Sequence, residues 1–176
     1  MGANWDDGVS VGRNANEAFT NLTRDAAWEH GHGGYSGTMA EKGSFILAGT
    51  LPARVTFQDL LTAMFRTREV EWHGHWVERT YGDVEKTYTD YKGIERTVTT
   101  RECVKVTKRR KSPLPKALQN PAGERIVRAF LAADSDKWGP AAGVELNARE
   151  TKTARSRSYK GKQGIHAYGF GGSCSS

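Results

Sequence analysis

Apolar positions recur at three- and four-residue spacing in three stretches of the chain, and each such stripe predicts a helix. In the first, Ala15, Ala18, Phe19, Leu22 and Ala26 share a face, Asn14 stands where an N-cap belongs, and Glu17 is placed to reach back to it. Gly31 is placed to end that helix in a left-handed conformation. The second stripe runs through Phe57, Leu60, Leu61, Met64 and Phe65 to about residue 69, with Thr56 as cap, Asp59 in the first turn and Val55 able to staple onto Leu60. The third follows Asn120-Pro121, a cap and first-turn pair, through Ile126, Val127, Phe130 and Leu131 to about Ala133.

Elsewhere the period is two. Ser44 to Ala48 reads as a short buried strand. From Val70 to Thr107, β-branched and aromatic residues alternate with polar ones, and turn signals at Tyr81-Gly82-Asp83 and Lys92-Gly93 divide the run into three antiparallel strands. Two more strands are expected around 143–148 and 165–170, after the loop KSPLPKALQN. The expectation is an α+β fold: a single domain over 1–176, an antiparallel sheet of about five to six strands, and three helices packed mainly on one face. The ends, about 1–12 and 171–176, are expected to be flexible.

Composition sets the class. With 37% hydrophobic and 26% charged residues in 176, there is material for one buried core. No run approaches the ~20 apolar residues of a membrane span. The N-terminal stretch carries early acids and no apolar segment, so no secretory signal is expected. Cys103 and Cys174 form no CxxC pair and are expected reduced, Cys103 as a core residue and Cys174 exposed in the tail.

Charge is uneven. Residues 1–100 carry ten Lys/Arg against fourteen Asp/Glu, whereas residues 101–176 carry sixteen against six. The basic half makes a small nucleic-acid-binding protein one candidate function, with Lys108, Arg109, Arg110, Lys111, Arg155 and Arg157 as the phosphate contacts. No RRM, KH or zinc-finger pattern accompanies them.

The densest chemistry lies in residues 29–43, EHGHGGYSGTMAEKG, with five glycines and two histidines. It lacks the Gly-Lys-Ser/Thr ending of a Walker loop, Ser36 stands where G-x-G-x-x-G needs its last glycine, and G-x-S-x-G also fails. His30-Gly31-His32 and His73-Gly74-His75 would make a four-imidazole metal site, and so a metal-dependent enzyme, if the fold joined them. Glu69 and Glu71 have the spacing of an ADP-ribosyltransferase pair without its Ser-Thr-Ser strand. No metal, cofactor or catalytic set is assigned. The glycines are read as serving shape: they turn the chain from a helix end toward the strand at Ser44.

Read as a unit, Glu29 to Lys42 resembles a segment of small accessory, non-virion proteins of actinobacteriophages, in which a helix end leads through glycines into Y-[ST]-G-T-[IM]-A-E-K. Lys137-Trp138-Gly139-Pro140-Ala141 resembles a second shared stretch, while Tyr168 to Ser175 departs from the third in lacking its tryptophan. The resemblance implies a phage protein made in the host cytoplasm that binds and redirects a host bacterial protein without catalysis, and it carries no activity with it. On that reading the partner-binding residues are His30, His32, Tyr35, Ser36, Thr38, Lys42 and Trp138.

Overall fold

The computed structural model describes residues 3–31, 36–89, 91–109, 114–158 and 165–175. The chain forms two compact units, one of Met1–Phe65 with Pro113–Ser176 and one of Arg66–Ser112.

The first unit is built on four strands: β1 (Ala3–Gly12), β2 (Phe45–Thr50), β5 (Ala141–Glu145) and β6 (His166–Ser175). Their order is β1-β6-β5-β2, with β6 antiparallel to both neighbours and β2 parallel to β5. Strand alternation sorts the interior. Ala142, Val144 and Ala167 join one cluster with Leu60, Met64, Ile126 and Phe130, whereas Ala141, Tyr168, Phe170 and Cys174 join a second with Ala18 and Phe19. The sheet is therefore covered on one face by α1 (Ala15–His30) and on the other by α2 (Phe57–His73) and α3 (Pro121–Ser135).

The caps expected from sequence are present. Asn14 accepts from the Glu17 amide, Asn120 from that of Gly123, and Thr56 exchanges hydrogen bonds with Asp59. A fourth helix, α4 (Ala148–Ser158), was not expected, because its residues form no apolar stripe. Its start is nonetheless determined locally: Asn147 accepts from Glu150 N and donates to the carbonyls of Pro52 and Val55.

The second unit holds one antiparallel ribbon, β3 (Trp76–Thr89) with β4 (Glu95–Arg109), where three strands were expected. Two glycines explain the difference. Gly74, at φ 69°, ends α2 with its amide on the Val70 carbonyl, so the alternation of Val70 and Trp72 belongs to a helix. Gly82 sits inside β3 beside a bulge between Thr80 and Tyr81, where the Val104 side chain closes over it, and the chain does not turn there. The turn at Lys92-Gly93 is present, with Gly93 at φ 76°.

Three further expectations are corrected. The ends are not loose: β1 pairs with β6 over ten positions, from Ala3 with Ser175 to Gly12 with His166. The cysteines exchange roles, since Cys174 lies buried in an inner strand and Cys103 is exposed on the ribbon. The strand at 45–50 is a sheet edge, with Ile46 and Leu47 exposed, rather than a buried element.

Small residues in β5 and β6 let aromatic rings lie directly on the sheet. A Cβ at Gly169 would stand 2.5 Å from the Phe57 ring, which is itself held edge-on against Phe130. Gly169→Ala should therefore lower unfolding free energy by about 1–3 kcal/mol, measured by denaturant titration, because a buried ring has nowhere to move.

Candidate functional site

Residues 36–42 form a structural clamp. Thr38 caps a single 3-10 turn, Met39–Glu41, that presents opposite charges at Glu41 and Lys42. The Met39 amide donates to Asp6 on β1 at 2.6 Å. Glu41 Oε1 accepts from Gly37 N and Ser36 Oγ, and Oε2 accepts from the amide and hydroxyl of Ser175 at the end of β6. Lys42 is 4% exposed, and its ammonium donates to the carbonyls of Asp136, Lys137 and Gly139 at 3.3, 3.0 and 2.9 Å. An ammonium has three N–H groups, and here all three have acceptors.

The acceptors lie in the turn that follows α3, Asp136 being the helix C-cap, so the cation sits close to the end of the helix that its dipole makes negative. Asp136 tightens the same turn by accepting from the amides of Trp138 and Gly139. Gly172 on β6 makes room for the lysine stem, since a Cβ there would stand 3.1 Å from Lys42 Cε. Burial alone would raise the Glu41 carboxyl, but hydrogen bonds from Ser175, Gly37 and Ser36 outweigh it and hold it below the usual value. Burial pushes the neighbouring Cys174 thiol up to about 11, with Lys42 opposing and Asp6 and Glu41 adding to the rise.

This corrects the assignment of Lys42 to a partner-binding surface: its charge is spent inside the protein. Ser36 and Thr38, whose hydroxyls lie 2.8 Å apart, belong to the same internal network. His32 and Tyr35 lie outside the described residues. His30 ends α1 and is exposed beside Glu29, and Trp138 is exposed with the Lys137 ammonium over its ring.

His73 and His75 do not share a strand. His73 is the last residue of α2, and His75 Nδ1 lies 2.9 Å from the His73 carbonyl. His166 instead pairs across strands with Glu145 at 2.8 Å. Among the described residues no group of three or more His, Cys, Asp or Glu is placed to hold a metal ion.

Among the described residues, the side chains of two basic candidates lie on the ribbon and that of one on α4. Lys108 and Arg109 are consecutive in β4 and so point to opposite faces, and Arg109 is engaged by Glu78 at 3.0 Å. Arg110 and Lys111 lie outside the described residues, as does the side chain of Arg157. Arg155 is on α4, in the other unit.

A groove of about 470 Å³ lies along β1 between α1 and α4, and the sequence had not pointed to it. Two of its polar side chains, Asn21 and Glu150, are engaged within the protein. Asn21 donates to the Val11 carbonyl and accepts from Arg24, while both Glu150 oxygens accept from the Phe57 amide that opens α2. Burial raises the Glu150 carboxyl, and the Phe57 amide works against that rise. The groove thus offers apolar wall at Val9, Leu146 and Ala154, with the Glu150 carboxylate turned to an internal partner and Asp25 exposed beside Arg24.

Comparison of the chain with known protein families, with curated proteins and with solved structures finds no match in any of the three.

Lys42→Met should cost about 3 kcal/mol in chemical denaturation, since it removes the ammonium donor from three carbonyls of the 136–139 turn in a buried site. Lys42→Arg should recover little of this, because a planar fork does not converge on three carbonyls as an ammonium does. Glu41 has a folded pKa below its unfolded one, so it contributes stability above the unfolded value, and that contribution is lost as pH falls through the folded value. Glu41→Gln should lower the thermal midpoint at neutral pH and flatten its fall on acidification through the carboxylate range.

Proposed function

We propose that the chain is a non-catalytic binding protein whose contact surface is the β3–β4 ribbon, and that its partner is another protein. The supporting observation is the exposure of Tyr88 and Val98 on one face of the ribbon, with Val104 over Gly82 and with Tyr91 and Ile94 at the turn; Tyr81 and Val106 are exposed on the other face. Tyr91, beside the turn, is 92% exposed. A two-stranded ribbon is marginally stable in water on its own, and exposed apolar side chains in a continuous patch mark interaction surfaces. Aromatic residues of this kind are the usual anchors of protein interfaces.

Register places Tyr88 opposite Arg96 and Lys86 opposite Val98, so Tyr88 and Val98 are diagonal neighbours on one face. The Lys86–Glu102 ion pair sits on that face and leaves its apolar members uncovered. Taken with the resemblance to phage accessory proteins, the partner is a host bacterial protein met in the host cytoplasm, and binding redirects it. A nucleic-acid partner has less support, because the cations are divided between ribbon faces and one of them is neutralised by Glu78.

The test is affinity capture from nuclease-treated host lysate, followed by titration with the captured protein. Tyr88→Glu with Val98→Glu should weaken binding by about 2 kcal/mol or more, roughly thirty-fold, without changing the circular dichroism of the first unit. Charge reversal at Arg79 and Lys108 should leave capture in place. Retention of the partner by the ribbon variant, or its loss on nuclease treatment alone, would contradict the reading.

A further inference from the structure

The sheet of the first unit has two edges, and the chain treats them differently. At one edge β1 carries Asp6 and Asp7, and its outward Val11 carbonyl is capped by the Asn21 side chain. These are the usual guards against a foreign strand. At the other edge β2 reads FILAGT, with neither a charge nor a proline; a register shift after Leu47 ends the regular edge, and within Phe45–Leu47 the Ile46 and Leu47 side chains are 59% and 48% exposed.

The backbone direction of β2 follows from one hydrogen bond. The Ser44 carbonyl accepts from the Ala141 amide at 3.0 Å, and Phe45 is in register with Ala141. In a parallel pair this turns the main-chain groups of Ser44 and Ile46 toward β5. Those of Phe45 and Leu47 therefore point away from the sheet.

We infer that β2 is a self-pairing edge, through which two copies of this chain join by antiparallel β2–β2 pairing about a two-fold axis at Ile46. In that register Phe45 lies opposite the second copy's Leu47, each pair exchanging both main-chain hydrogen bonds, and Ile46 faces its own counterpart in a close, non-hydrogen-bonded pair. The two isoleucines meet beside a cavity of about 240 Å³ lined by Ala129, Ala132, Ala133 and Pro140. Those small side chains leave space for an added aliphatic group. On the opposite face Leu47 packs against the second copy's Phe45.

The occupant is a second copy because an uncharged, apolar strand is complementary to itself under a two-fold. The arrangement is isologous and closes. A charged strand would instead set an unpaired charge against Ile46 and Leu47.

Sedimentation velocity of the full chain over a dilution series tests this, with amide hydrogen exchange read in parallel. The expected result is a mass of two chains, and slow exchange at the Phe45 and Leu47 amides that quickens on dilution. Ile46→Lys and, separately, Leu47→Lys should each give a folded single-chain species with those amides unprotected. Both side chains are exposed within one chain, so neither change disturbs its core. A wild-type chain that is single at every concentration would overturn the proposal. So would a dimer that persists in both lysine variants.

Discussion

Adjacent opposite charges at Glu41 and Lys42 are held where the ends of several elements meet, and each is spent on main-chain groups rather than on the other. Burying an ammonium is costly unless every donor finds an acceptor, and the turn after α3 supplies three carbonyls that converge on it. The exchange satisfies both sides. Lys42 sets the turn that carries the chain from α3 into β5, and β5 in turn supports the parallel pairing of β2. Glu41 fixes the far end of β6, and Asp6 ties the same turn to β1 through the Met39 amide. All four strands of the sheet are therefore registered to one short segment.

Much of the first unit was legible in the chain. Asn14, Thr56 and Asn120 announced three helices because a cap side chain acts on its own neighbours, without help from the rest of the fold. What could not be read depended on distant partners. β1 has acids and glycines in place of a strand-like run, and becomes a strand only because β6 pairs with it throughout. Cys174 was taken for a tail residue, yet the strand it occupies lies between β1 and β5. In the second unit the signals conflicted: Gly82 in a β-rich run reads equally as a turn or a bulge, and only the position of Val104 decides between them.

The candidate site shows the same division. The pattern Thr38 to Lys42 stood out in the sequence, but a buried lysine has no local mark that separates it from an exposed one. Its acceptors lie more than ninety positions away, in the turn that contains Trp138. Residues 36–42 and the 136–139 turn thus meet in the fold and hold each other. In contrast, exposed apolar side chains recur on the ribbon and on β2, where alternation and β-propensity could predict strands but not what covers them.

Amide hydrogen exchange at Ser175 and Met39 tests the clamp most directly. Both amides donate to carboxylates of the network, and Ser175 lies at the extremity of a strand, where fraying would otherwise be expected. At neutral pH they should exchange only through global unfolding, as slowly as the amides of β5. Rapid exchange at both, with β5 still protected, would show that the sheet holds its register without Glu41 and Lys42, and would contradict the account.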